Sequence, residues 1–250
     1  MRAPLASAAM RLGSILLLLI LWEVAASFVG SRKLPTATAV LAALVDETVH
    51  GTLPHHLAIT LVRVALSFVL AMSLGTAIGI AMGRWHAVDA ALDSWIILLL
   101  NLPALVVIVL AYVWFGLTEA AAIGAVAVNK LPLVAVTLRE GTRALDPDYA
   151  DMARSFRMST WRRLRHVVAP QLFPYLIVAS RSGLSLIWKI VLVVELLGRG
   201  DGVGFQIQLY FQLFDVTHIL AYAIAFVAVV QAIEWTVLQP VERHIGRWRR

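Results

Sequence analysis

The chain contains no cysteine and only three lysines. Without cysteine it can form no disulfide bond, thiolate metal site or cysteine nucleophile. The lysines are Lys33, Lys130 and Lys189, and they are followed by Leu, Leu and Ile. A phosphate-binding loop needs Gly-Lys followed by Ser or Thr. The sequence therefore excludes ATP binding by the usual loop.

Charged residues are also scarce. They make up 14% of the 250 residues, whereas 60% are hydrophobic, and the mean hydropathy is +0.83. A soluble domain is roughly half apolar and a quarter charged, so we predict an integral membrane protein. The net charge of +6 could indicate nucleic-acid binding. However, the basic residues lie in short loops and near the C-terminus, where membrane topology explains them, and we expect no nucleic-acid partner.

Long apolar stretches predict the membrane helices. A span needs roughly 20 apolar residues, and about six stretches qualify, at residues 12–29, 58–82, 92–115, 120–138, 173–197 and 217–238. The first resembles a signal peptide with a cleavage site at Ala25-Ala26-Ser27. Because no soluble domain follows it, we expect an uncleaved helix. The sequence thus predicts a single all-α transmembrane domain over residues 1–250.

Basic residues also predict the orientation, because they are enriched in cytoplasmic loops. With both termini in the cytoplasm, the cytoplasmic segments contain Arg2, Arg11, Arg84, seven arginines between Arg139 and Arg165, and Arg243, Arg247, Arg249 and Arg250. The external segments then contain only Arg32, Lys33 and Arg199. We therefore expect cytoplasmic N- and C-termini.

The basic loop 139–172 predicts two short amphipathic helices. Asp146-Pro147-Asp148 is typical of a helix start, and Tyr149, Met152, Ala153 and Phe156 follow at three- and four-residue spacing. Ser159 or Thr160 would cap the second helix, which Pro170 and Pro174 would end. Such helices could lie on the inner leaflet or dock onto another protein.

The motifs of this loop and of the next 35 residues favour docking. The sequence has Asp151-Met152-Ala153, then Arg157, then Ala169-Pro170. This order resembles the Glu-Ala-Ala signature, glycine and Leu-Pro of ABC importer permeases. Further similarities are Gly141 to Pro147, Phe173-Pro174-Tyr175, Arg181, Trp188, Glu195, Gly198 and Gly202-Val203-Gly204-Phe205. Over nearly the whole chain, the pattern resembles the nitrate/sulfonate/taurine/bicarbonate branch of these permeases, the inner membrane components of binding-protein-dependent transport systems.

The resemblance implies a type I ABC importer permease fold with a cytoplasmic coupling helix. It implies a bacterial inner-membrane homodimer that works with an ATPase pair, which binds ATP and magnesium, and with a periplasmic or lipid-anchored binding protein. The permease itself would be no enzyme and bind no cofactor. The expected ATPase-docking residues are Asp148, Tyr149, Asp151, Met152, Ala153, Arg154, Phe156 and Arg157. Arg157 departs from the family pattern, which has glycine at this position. Arginine adopts a left-handed turn less readily than glycine.

Charged residues within the apolar stretches are candidates for the transport path, since ionisable groups in membranes are costly. If the solute is an anion such as nitrate, a sulfonate, taurine or bicarbonate, Lys130 and Lys189 could attract it, and Glu195 is a third path candidate. For Arg63, Arg181 and Glu234 we expect snorkelling to the membrane surface or pairing with another helix.

Two other functions remain open. Ser185 and His218 could form the nucleophile and base of an intramembrane serine hydrolase, although Gly-x-Ser is also common at helix contacts. An ion-coupled secondary transporter is the second alternative, but the related halves typical of that class are not evident. The adjacent His55 and His56 lack helical metal-ligand spacing, so we expect solvated loop histidines and no metal site.

Overall fold

A computed structural model describes residues 3–31, 33–238 and 240, and in these residues it contains only helices as regular structure. The helices are α1 (Ala3–Val29), α2 (Ala37–Val49), α3 (Leu53–Arg84), α4 (His86–Asn101), α5 (Ala104–Phe115), α6 (Glu119–Arg143), α7 (Pro147–Ser155), α8 (Thr160–Arg163), α9 (Ala169–Gly198), α10 (Val203–Gln212) and α11 (Val216–Ile233). Leu164–Val168 and Glu234–Leu238 are π-helical turns. Arg2, Arg32 and the predicted C-terminal arginine cluster lie outside the described residues.

The helix lengths confirm an all-α membrane protein. Four helices are long and apolar enough to cross a membrane, namely α3, α6, the continuous run Thr160–Gly198 and the run Val216–Thr236. The pair α4 and α5 gives a fifth span if it is counted as one. The apolar part of α1, Gly13–Val29, is shorter. Among the described residues, the expectation of about six spans thus becomes four or five, with α1 as an additional apolar helix.

The predicted span 92–115 is not one helix. It comprises the end of α4 and all of α5, which meet at an angle of 102°. Leu102 is extended (φ −71°, ψ 126°), as expected for a residue before proline. The side-chain amide of Asn101 donates to the carbonyl of Ile97 at 2.7 Å, which caps the end of α4. Pro103 therefore breaks this segment sharply.

Helices α3 and α6 lie in parallel and in very close contact. Gly75, Gly79 and Gly83 form a stripe at four-residue spacing, and a Cβ atom on Gly79 would lie 2.4 Å from the carbonyl oxygen of Ala135. A Cβ atom on Gly83 would lie 2.5 Å from that of Thr142. Small residues at such spacing allow membrane helices to approach each other closely. This contact aligns the C-terminal ends of α3 and α6 at the end of the bundle that carries α7.

The prediction that Pro170 and Pro174 end the second loop helix is wrong. Helix α8 continues through the π turn Leu164–Val168 into α9, and Pro174 lies inside α9. The N–H of Ala169 donates to the carbonyl of Leu164, a wider hydrogen-bond spacing than in an α-helix. This shift comes directly before Pro170 and accommodates its missing N–H group. The α8 segment is therefore rigidly continuous with a membrane span.

Candidate docking and translocation sites

Helices α7 and α8 meet in a tight corner that is fixed by caps. The Asp146 side chain accepts from the Asp148 N–H at 2.9 Å, and Ser159 caps α8. Between them, the Met158 N–H donates to the Ala153 carbonyl at 3.0 Å and the Arg157 N–H to that of Arg154 at 2.9 Å. This pair of bonds is a Schellman motif, in which the residue at the position of Arg157 is usually glycine. Arg157 indeed has a φ of +47°.

Four large apolar side chains of this corner are exposed and do not pack into the apolar core of the bundle. They are Tyr149 (51%), Met152 (42%), Phe156 (77%) and Trp161 (68%), and we call them the corner patch. Asp148, Asp151, Arg154 and Arg157 are exposed as well, and Asp151 pairs with Arg154. Ala153 differs from the other predicted docking residues, because it is 1% exposed. It anchors α7 to its own chain and is too deeply buried to contact a partner.

At the opposite end of the bundle, Arg63 joins three carboxylates. We call Arg63, Glu119, Glu195 and Asp201 the arginine hub. The guanidinium lies 2.6 Å from Glu119 Oε1 and 2.8 Å from Glu195 Oε1, and it also contacts the Asp201 carboxylate. Arg63 is 3% and Glu195 0% exposed. The hub thus connects α3, α6, α9 and the loop before α10, and it fulfils the expectation that Arg63 pairs with other helices.

Glu195 also holds the start of α10. Its Oε2 accepts from the Gly204 N–H and from the Thr60 hydroxyl, each at 2.9 Å. Gly202 has a φ of +100°, and a Cβ atom there would lie 2.3 Å from the Glu195 carboxyl carbon, so only glycine fits. As a path candidate, Glu195 is fully engaged within the protomer, and it could reach a solute only if these bonds broke.

His56 is not the solvated loop histidine that the sequence indicated. It is 7% exposed, and its Nδ1 accepts from the Gly202 N–H at 3.0 Å. Its Nε2 lies 2.6 Å from the Gln206 amide. Because Nδ1 is an acceptor, the neutral ring carries its proton on Nε2, and the Gln206 amide is therefore assigned with its oxygen and not its nitrogen toward the ring. The side chain therefore helps to fasten α10 to α3, and among the described residues no group of ligands suits a metal ion.

The two lysine candidates lie in different surroundings. Lys130 is 2% exposed, lies beside Gly183 of α9, and its ammonium has no hydrogen-bond partner among the described residues. Lys189 lies on the exposed face of α9, together with Arg181 and Ser185. Lys130 is thus buried without a counterion in the described part of the chain, and Lys189 belongs to a polar stripe on the outside of the protomer.

Ser185 and His218 form no dyad. The Nδ1–H of His218 donates to the Asp215 carboxylate at 2.7 Å, and the His218 ring stacks on Tyr210 at 4.7 Å. Burial raises the pKa of Tyr210, and its hydrogen bond to Glu47 acts in the same direction, so this phenol stays protonated and donates to Glu47 at 2.9 Å. Within the described part of the chain, no hydrogen bond joins Ser185 to His218, and the hydrolase hypothesis has no nucleophile–base pair.

The arginine hub is not predictable as a unit from the sequence. The sequence marks Arg63 and Glu195 separately as charges in apolar stretches, but it does not mark Glu119 or Asp201. The available signal was the presence of opposite charges at the ends of three apolar stretches, next to Gly202-Val203-Gly204. The pairing itself depends on how the helices pack, which hydropathy does not report.

Comparison with known proteins identifies a family. The model of the family described as "Binding-protein-dependent transport system inner membrane component" matches residues 73–235. The chain is 29% identical over 231 residues to the "Putative aliphatic sulfonates transport permease protein SsuC" of Bacillus subtilis (strain 168), covering 92% of this chain and 83% of that protein. It is 28% identical over 246 residues to the taurine transport system permease protein TauC of Escherichia coli (strain K12), covering 95% and 88%.

Solved structures support the same fold. The structure titled inward facing conformations of the MetNI methionine ABC transporter matches with a TM-score of 0.67 and 16% identity, covering 80% of this chain and 98% of that chain. At this identity the match supports the type I importer permease fold alone.

Proposed function

The chain belongs to the family of binding-protein-dependent transport system inner membrane components, the non-catalytic permease subunits of ABC importers, and we propose that its solute is a small anion. The permeases named for sulfonates and taurine support a solute with an anionic group, since both kinds of compound carry a negatively charged sulfonate. Family membership implies an ATPase and a binding protein as partners. It leaves no feature of the chain that needs a serine hydrolase or an ion-coupled transporter as its explanation. We further propose that ATP and magnesium are bound by an ATPase pair beneath a homodimer of this chain.

The observation that carries the coupling role is the exposure of the corner patch. Four large apolar side chains in water are unfavourable unless a partner covers them. The patch stands on a corner with fixed caps, and α8 continues without interruption into the membrane span α9. A force applied to the corner would therefore move α9 directly. We propose that the ATPase binds here, so that this end of the bundle and both chain termini face the cytoplasm of the bacterial cell.

The polar stripe of α9 supports a path between two copies. A lysine or arginine at the centre of a bilayer costs about 2.5–3.5 kcal/mol by insertion scales. Lys189 and Ser185 are exposed on one protomer, as is Arg181, whose guanidinium lies 3.8 Å from Glu234, so in lipid this polar face would be unfavourable. In a homodimer the same face can border water and a passing anion. Lys189 would then attract the anion at the surface of the path, and Lys130 would meet it where the helices separate.

Substituting Phe156 tests the coupling role. Phe156→Ala removes the most exposed side chain of the corner patch (77%). We expect less ATPase to co-purify with the permease and ATP-dependent uptake into vesicles to fall in parallel. Trp114→Ala is the control, because Trp114 is 67% exposed at the opposite end of the bundle, and it should leave ATPase binding unchanged. Full ATPase binding by Phe156→Ala together with Met152→Ala would contradict the proposed docking.

A further inference from the structure

A cavity of about 280 Å³ lies where the ends of α3 and α6 meet α8. Its walls are largely apolar and include Ile80, Leu145, Leu164 and Leu172. Arg84, the last residue of α3, and Arg163, the last residue of α8, also line it. The cavity therefore combines an apolar interior with two cationic side chains, at the level where three membrane helices end.

These two arginines differ from Arg139 and Arg143 in having no anionic partner among the described residues. Arg139 and Arg143 lie at the same end of the bundle and pair with Asp89, Arg139 at 3.4 Å and Arg143 at 2.5 Å. Within the part of the chain that the structure describes, neither Arg84 nor Arg163 makes a side-chain hydrogen bond or ion pair. A guanidinium suits phosphate because its planar donors match two phosphate oxygens at once.

We propose that this cavity binds one anionic phospholipid, with its phosphate between Arg84 and Arg163 and part of an acyl chain against the apolar wall. The apolar lining favours a lipid over a soluble anion, which would leave the cavity unfilled. The position favours a lipid as well, because basic pockets between membrane helices are level with the headgroups. The bound lipid would bridge α8 to the closely packed pair α3 and α6.

A lipid bound at this site would attach α8 to α3 and α6, and this attachment would depend on the lipid composition of the membrane. Helix α8 lies directly after the corner patch, so a lipid that fastens it to α3 and α6 would set how far the corner can move. The lipid binding itself does not depend on the proposed transport function. Only its consequence for coupling rests on that function.

Native mass spectrometry of the full chain, titrated with phosphatidylglycerol or phosphatidylcholine, tests the site. We expect wild type to retain phosphatidylglycerol in preference to phosphatidylcholine. The double variant Arg84→Gln/Arg163→Gln should weaken phosphatidylglycerol binding roughly tenfold or more, since each basic residue near an anionic lipid contributes measurably. Equal retention of both lipids by wild type overturns the proposal, whatever the variants do.

The matched control is Arg162→Gln/Arg165→Gln, which removes the same charge from exposed arginines of the same segment that do not line the cavity. We expect this control to retain phosphatidylglycerol like wild type. An equal loss in both double variants would mean a diffuse electrostatic attraction and would refute the site. Displacement of the lipid by inorganic phosphate would likewise identify a soluble-anion site instead. If the ATPase fails to bind the corner patch while phosphatidylglycerol binding persists, only the proposed function is refuted.

Discussion

Arg157 holds a backbone conformation that its side chain disfavours. At a φ of +47° its Cβ crowds the following carbonyl, at a cost of roughly 1–2 kcal/mol. We predict that Arg157→Gly stabilises the α7–α8 corner by about 1 kcal/mol, because glycine adopts this conformation freely. Hydrogen exchange of the Met158 amide, which bonds across the corner at 3.0 Å, should become slower.

The comparison variant is Arg157→Ala, which removes the guanidinium but retains the Cβ. It should leave the exchange rate of the Met158 amide close to that of wild type. If alanine slows exchange as much as glycine does, the charge of Arg157 and not its backbone geometry destabilises the corner.

Arg63 is the residue whose substitution should lower the stability of the chain most. Its removal leaves three carboxylates together, and Glu195 is 0% exposed. Breaking a buried ion pair by removing one partner destabilises a protein by about 3–5 kcal/mol. We therefore predict that Arg63→Met strongly lowers the thermal unfolding temperature of the detergent-purified chain.

A second substitution separates charge from packing. Glu195→Gln in the Arg63→Met background removes the unpaired buried charge, and it should recover part of the lost stability. If the double variant unfolds at the same temperature as Arg63→Met, the uncompensated carboxylate is not the cause.

At the residue scale, the sequence identified Arg63, Glu195, Lys130 and Arg157 as unusual but could not assign their contacts. A charge in an apolar stretch predicts that a partner is needed. Which partner it finds depends on helices that are far apart in sequence, such as Arg63 and Asp201. Arg157 is an exception, because its conformation follows from the local capping pattern.

At the scale of the helices, the close contact of α3 with α6 requires glycine on α3. We predict that Gly79→Ala destabilises the chain by about 1–3 kcal/mol, as overpacking does, because its Cβ would lie 2.4 Å from the Ala135 carbonyl oxygen. Gly124→Ala is the control on α6, since no atom lies within 4 Å of a Cβ atom there. Thermal unfolding in detergent measures both. A stable Gly79→Ala chain would mean that the helices can separate at little cost.

Prolines show why the sequence predicts spans better than their shapes. Pro103 separates α4 and α5 at 102°, whereas Pro132 lies inside α6 and Pro174 inside α9. All three occur in apolar stretches and remove one backbone donor. What differs is the surrounding structure. The Asn101 side chain donates to the Ile97 carbonyl in the last turn before Pro103, and a π turn precedes α9. Hydropathy reports only that each segment is apolar.

On the scale of the whole molecule, the sequence could identify both lysines but not their surroundings. Lys130 and Lys189 each lie in an apolar stretch, and although Asn129 and Pro132 flank Lys130, no local pattern tells which of the two lysines is buried. The packing of α6 against α9 buries Lys130 beside Gly183, whereas Lys189 stays on the exposed face. The proposed anion path therefore contains one cation on its surface and one behind it.

Opposite effects on stability and transport should reveal the role of Lys130. Lys130→Met retains the length of the side chain but removes an ammonium that has no partner among the described residues. Leaving a buried polar group unsatisfied costs about 1–3 kcal/mol, so we predict a higher unfolding temperature. If a passing anion supplies the missing counterion, the same variant should take up anions more slowly, as should Lys189→Met. Lys33→Met, at an exposed lysine, should change neither property. Unchanged uptake by Lys130→Met would remove Lys130 from the path, because a stabilised but equally active permease has no need of this charge.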